Sequence, residues 1–465
     1  MAFFRWPAPP STLIAAAAVA LGLALAARPA SAQASEALSA SDPGRHSVAA
    51  PLQFPALTST QPVAQPADME QARTIWLRAN ERVAEFPRGH IDLLRWETRQ
   101  PAPAADGTRP VPASEAPLSL AEALRQSLRH RPELFVRAGM NATETARVRV
   151  AFELHVRELQ GAWTDAVSTR QRLRLQIELL EATRAGSELG QRMVNAGNWS
   201  QARLTRERLA QASTWQDAVE AQAAAIAAQE RLARLLGVWQ ADAVAALGER
   251  LPVGLPEVPS SLRPGPGPDD ASLEATVLRS HPTLARERLE AQRQFSALNR
   301  ARWQDWRQAV DNALRAMPEP DAAGVLEPPR IDDLSLLRDH ALERAVMAES
   351  ELLSRVTERR SMTRAARVQL QVRHASAQHA QDVVVELQSA LAQDSLLRYN
   401  GMLQSTWELL ASARERLRAL DDAVQARREF WRAQADWQAL LAGTDYTRDE
   451  TAASSSSAAT APAGH

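Results

Sequence analysis

Seven histidines stand in the body of the chain: His90, His130, His155, His281, His340, His374 and His379. Imidazole is the side chain best suited to proton transfer or metal ligation near neutral pH. The spacing argues against both uses. His374 and His379 are five residues apart, which puts them off a common helix face, whereas a metal-binding helical pair sits at i, i+4. The scattered histidines read as solvated helix faces, and His130 and His281, each close to a proline, as packing or capping residues. Methionine is sparse and cysteine absent, so no soft-metal site is read, and no cofactor. No nucleophile elbow, phosphate-binding Gly loop or Ser/His/Asp arrangement is present. An enzyme is therefore not expected.

Recognition chemistry is better represented. Trp163, Trp199, Trp215, Trp303, Trp306, Trp407, Trp431 and Trp437 fall on predicted helices or at their ends. Trp431 continues an apolar seam and reads as core. Trp199, two residues past Gly197, is a candidate interface anchor, because aromatic side chains dominate contact energetics. Alternating Arg and Glu, as in Arg203-Leu204-Thr205-Arg206-Glu207-Arg208, reads as a solvated, salt-bridged helix face.

The elements that carry these residues follow from composition and punctuation. In 465 residues there are 18 Gly, 28 Pro and two Tyr, and the stretches between prolines are rich in Ala, Leu, Gln, Glu and Arg. That is the profile of long helices. The 54 basic residues are all Arg and are interleaved with 55 acidic ones, so no extended positive field exists for nucleic acid. Residues 1–32 read as a secretory signal: Arg5, an apolar run from Leu13 to Ala27, then Ala30-Ser31-Ala32. An Ala/Ser/Pro/Gln-rich leader, 33–68, is expected to be disordered. Residues 69–117 hold a short amphipathic helix around Ile75, Trp76, Ala79, Val83 and Phe86, then a Pro-rich linker.

Two helical repeats follow, 118–248 and 271–443, separated by a Pro-rich linker, 249–270, and ended by a tail, 444–465, expected to be disordered. Ser119 and Glu122 form a capping-box pattern, as do Ser405 and Glu408. Helices are expected over Ala142–Val194, Ala202–Leu236 and Leu336–Tyr399. A last helix carries Leu403, Leu410, Leu417, Val424 and Trp431 at heptad spacing. Leu128-Arg129-His130-Arg131-Pro132-Glu133-Leu134 is echoed by Leu278-Arg279-Ser280-His281-Pro282-Thr283-Leu284. Asn195-Ala196-Gly197 is echoed by Tyr399-Asn400-Gly401, and Leu235-Leu236-Gly237 by Leu441-Ala442-Gly443. Ordered internal similarity signals a duplicated unit. Gly197 and Gly401 are expected to take the left-handed conformation that ends a helix.

The repeated Pro-x-Leu opening, the Gly break and the Leu-Leu-Gly style terminator, in order in both halves, resemble the TolC family of outer-membrane efflux proteins. The resemblance covers roughly Leu118 to Gly443. It implies an all-α body of duplicated long coiled-coil hairpins, three copies forming a passive duct in the cell envelope of a Gram-negative bacterium. It further implies a periplasmic adaptor and an inner-membrane pump as partners, with small molecules, metal ions or proteins as cargo. The adaptor-docking tips it implies are Asn195, Gly197, Trp199 and Ser200 in one hairpin, and Tyr399, Gly401, Leu403 and Ser405 in the other. The family's outer-membrane β-barrel strands are expected to be missing or vestigial: no ten-residue alternating strands are found, and Met317 to Asp333, dense in Pro and acid, fills one of their positions. The alternative is a non-conducting periplasmic coiled-coil scaffold of the same descent.

Overall fold

Helices begin in this chain where a short polar side chain satisfies the free N–H groups of a first turn. The computed structural model describes residues 116–262, 270–317 and 327–444, with Ser41, 51–55, Glu70, Arg73, Thr74 and Leu77. Ser119 opens α1 (Leu120–Leu128), Asn141 opens α2 (Ala142–Asn195) and Ser200 opens α3 (Gln201–Leu236), which α4 (Ala241–Glu249) follows. Asn141 and Glu144 form a reciprocal capping box at 2.9 Å each way, a pairing the sequence pattern did not flag. Ser119 accepts the Glu122 N–H, but the Glu122 carboxylate does not turn back as expected; it pairs with Arg250 at 2.7 Å.

The second repeat holds α5 (Asp270–Ser280), α6 (Leu284–Ala297), α7 (Arg300–Arg315) and α8 (Leu334–Leu337). After these come α9 (His340–His379), a π-helical segment (Ala380–Val385), α10 (Glu386–Asn400) and α11 (Thr406–Leu441). The helix expected from Leu336 thus starts at His340, where Asp339 caps it, and carries a π segment near its middle. Among the described residues there is no strand. The signal, the helical stretch around Ile75–Phe86 and the tail lie outside the described residues, apart from the positions named above.

The long helices stand in an antiparallel row, α3–α2–α11–α9/α10, with α2 and α11 in the middle. At 1.5 Å per residue α2 is about 80 Å long and α9 to α10 about 90 Å. Two cores sit at the end away from the hairpin tips. Leu118, Trp163, Leu232 and Leu236 belong to one, Val277, Phe430 and Leu440 to the other, and Trp431 touches both. The seam between α2 and α11 is polar as well as apolar. Arg157 pairs with Asp436 at 2.6 Å, Asp165 with Arg428 at 2.8 Å, and Arg172 with Asp421 at 2.8 and 2.9 Å. The hydrogen bond to Asp421 holds the Arg172 guanidinium above its ordinary pKa.

The motifs that end and open each repeat touch one another. A Cβ on Gly237, which has φ +73°, would lie 3.0 Å from the His130 ring, and one on Gly443, φ +93°, would overlap the Ser280 carbonyl. Terminator and opening therefore pack as one joint, in both halves. The Pro-rich stretch after α4 is non-helical as expected, but it is no free linker. Leu251 and Leu255 are buried, and the Pro256 and Pro259 carbonyls accept from Trp431 Nε1 and pair with His374 Nε2. Part of the leader is likewise held: the Gln53 and Pro55 carbonyls accept from Gln222 Nε2 at 2.9 Å and Trp215 Nε1 at 2.8 Å, and Phe54, 54% exposed, lines a cleft with Leu173, Ile177 and Leu180.

His281 illustrates how the joint responds to pH. Its Nδ1 accepts the N–H groups of Thr283 and Leu284 at 3.3 Å, and burial together with the Arg359 charge lowers its pKa to about 4. The unfolded chain protonates this imidazole near 6.5. Between those values the unfolded state binds more protons, so stability falls as pH drops through about 6.5 to 4, and no further from this group below that. His281→Gln should flatten that part of the profile, read as the thermal midpoint of both proteins across the window.

Candidate functional site

The two hairpin tips lie side by side at one end of the row. In the first, α2 ends at Asn195, Ala196 continues the helical conformation, and Gly197 takes φ +75°. The Asn198 N–H then reaches the Met193 carbonyl and the Gly197 N–H that of Val194, the two bonds of a Schellman cap. Ser200 opens α3 two residues later.

In the second tip the left-handed residue is not the glycine. Gly401 has φ −82°, and Met402 takes φ +59°, with Leu403 N–H bonding the Arg398 carbonyl and Met402 N–H that of Tyr399. The structural equivalents are therefore Asn195 with Asn400 and Gly197 with Met402, one place off the sequence echo. In that register the tips have the same length, Ser405 matches Ser200, and α3 and α11 match turn for turn at 36 residues. A methionine forced into the left-handed region carries strain of about 1–2 kcal/mol. It is also 70% exposed, and Leu403 beside it 82%. The tip thus projects a strained, exposed, apolar pair.

Trp199, the candidate interface anchor, is half-buried. Its ring stacks on Trp407 of the other hairpin, centroids 4.2 Å apart and planes tilted 31°, with the Arg203 guanidinium 3.9 Å from its centroid. Trp199 thus has both an aromatic and a cationic neighbour. The stretch Arg203–Arg208, expected to be solvated, supplies two further tip contacts: Glu207 pairs with Arg414 of α11 at 3.1 Å, and Arg208 with Gln191 at 2.7 Å. Asn195, Gly197 and Ser200 are exposed on one tip, and Gly401, Leu403 and Ser405 on the other, while Tyr399 is half-buried. Tyr399, Met402, Gln404 and Trp407 face Leu189 and Met193 across a cleft of about 340 Å³ between the tips. The Glu408 carboxyl is held below its usual range by the N–H and hydroxyl of Ser405, which keeps the start of α11 capped.

His374 is buried against Phe430 with Nε2 bonded to the Pro259 carbonyl, and His379 is exposed, so the two are apart. No group of His, Asp or Glu suited to hold a metal occurs among the described residues.

Two measurements follow from this geometry. Met402→Gly should raise stability by about 1 kcal/mol and Gly197→Ala lower it by a similar amount, while Gly401→Ala is near neutral, in chemical denaturation of the three variants. A double-mutant cycle on Trp199→Ala and Trp407→Ala should return a coupling of about 0.5–1.5 kcal/mol. Additive losses would show that the rings are neighbours without mutual stabilisation.

No protein-family model and no curated protein sequence matches the chain. Solved structures do. The outer-membrane channel OprN is 20% identical, with 69% of this chain and 72% of that one covered and a TM-score of 0.43. CusC, described for conformational changes accompanying folding and transmembrane channel formation, is 14% identical, with 81% and 92% covered and a TM-score of 0.43. The outer membrane protein VceC of Vibrio cholerae is 12% identical, with 70% and 75% covered and a TM-score of 0.42. The chain is thus similar to solved outer-membrane channel proteins.

Proposed function

We propose that the chain is the duct component of an envelope export system. Three copies would associate head to tail into a hollow helical cylinder, passive in itself, with a periplasmic adaptor on the tips and an inner-membrane pump supplying energy. One observation carries this reading: both outer helices of the row expose apolar side chains. On α9 and α10, Val368, Val372, Leu387 and Leu391 are each more than half exposed at helical spacing. On the opposite edge, α3 exposes Leu209 and Ile226. Two different apolar edges on opposite sides of one protomer suit a heterologous contact, the kind that closes into rings. Exposed Met402 and Leu403 would then present an apolar ring of tips to the adaptor.

A second reading, the non-conducting scaffold, is favoured by one local fact. Between Leu134 and Ala142 only seven residues connect the first repeat's opening to its long helix, too few for a pair of membrane strands. No helix among the described residues is long and apolar enough to cross a membrane. Membrane fractionation separates the two: a scaffold is released by salt, a barrel-anchored duct only by detergent.

Negative-stain imaging of the full chain should show hollow trimeric cylinders. Leu387→Glu with Leu391→Glu should raise the concentration needed for assembly about tenfold or more. Solid monomeric rods at every concentration would end the duct reading.

A further inference from the structure

One helix has a composition unlike the rest. Every long seam of this protein is built from Ala and Leu with a few large anchors. In α7, by contrast, no residue is buried. Trp303, Trp306, Val310 and Leu314 recur at three- and four-residue spacing and share an arc about 100° wide. Neither indole N–H has a hydrogen-bond partner among the described residues, whereas those of Trp163, Trp215 and Trp431 all donate to carbonyls. The helix touches the body at its first turn, through Trp303 edge-on to Phe295 at 4.9 Å and Arg302 to Ser335 and Asp339. Along the arc Trp303, Trp306 and Val310 are half-buried and Leu314 is 53% exposed.

Charge says what fits there. Although the whole chain is nearly neutral, α7 carries four Arg and two Asp. Arg300 and Arg307 border the arc on one side and Arg302 on the other. Arg300, Arg307 and Arg315 have no carboxylate partner among the described residues. A narrow apolar arc of Trp, Val and Leu flanked by unmatched guanidinium groups fits a bilayer interface: the rings sit at headgroup depth and the Arg side chains reach lipid phosphates. Arg302 ties α7 to Asp339 beside the first turn of α9, about 90 Å of helix away from the tips.

We propose that α7 is an interfacial membrane-binding helix that lies on the surface of a bilayer containing anionic lipid, holding the tip-distal end of the protein there. The inference does not need the duct: a scaffold would be held in the same way.

Co-sedimentation of the full chain with lipid vesicles tests it. The protein should partition onto phosphatidylcholine vesicles containing phosphatidylglycerol, more weakly onto phosphatidylcholine alone, and less as salt rises. Trp303→Ala with Trp306→Ala should lose about tenfold or more in partition, and Arg300→Gln with Arg307→Gln should lose the preference for anionic lipid. No α7 residue is fully buried, so both variants should keep the parent's helicity, which separates lost binding from lost folding. Equal binding by the tryptophan variant, or none by the parent to anionic vesicles, overturns the proposal. A lipid-free change in particle mass in the tryptophan variant, with sedimentation unaltered, would assign the arc to a second copy of the chain instead. Hollow trimers with or without vesicle binding are read separately by imaging.

Discussion

The ion-pair ladder between α2 and α11 fixes how the two repeats lie against each other. Its rungs fall eight and then seven residues apart on both helices, Arg157, Asp165, Arg172 against Asp436, Arg428, Asp421. Ala-rich seams such as the one around it are smooth and tolerate sliding by a heptad. The charges do not. Sliding α11 one heptad in one direction would set Asp165 against Asp421 and Arg172 against Arg414; in the other it would set Arg172 against Arg428. Asp165 and Asp421 are both buried. Stripping one partner from such a pair costs about 3–5 kcal/mol, far more than an Ala seam gains in any wrong register. The ladder thus selects a register more than it adds stability.

Everything at the tip depends on that choice. With the repeats in register, the two loops end level, and Trp199 on one meets Trp407 on the other. The Glu207–Arg414 pair then joins α3 to α11 a few turns above. The tip is therefore stiff where the hairpins face each other and bare at its extremity, where Met402 and Leu403 project. For the adaptor docking proposed above, such a division would keep the shape of the seat.

The helical class, the first tip and the long helices could be read from the sequence because each rests on a local signal: Ser or Asn before a helix, Gly after it, apolar residues at heptad spacing. The second tip misled because Gly401 is a strong local signal for a conformation that the chain gives to Met402. The helix runs one residue further, through Asn400, to keep pace with its twin. The role of Arg203–Arg208 was hidden for another reason. Charges on a helix look solvated until the neighbouring hairpin is known to supply Trp199's partner ring and Arg414. Proline-rich stretches pointed correctly away from helix, but whether such a stretch hangs free or lies in a groove depends on long-range acceptors, here the carbonyls of Pro256 and Pro259.

The short leader segment at 51–55 is held by its main chain: carbonyls accept from Trp215 and Gln222, and Phe54 alone contributes a ring to the cleft. A carbonyl is common to every amino acid. The leader could therefore drift widely in sequence and still be clasped in the same place, so long as it stays extended. Over evolutionary time the constraint would be recorded in two side chains of α3 some 160 residues away, not in the segment they grip.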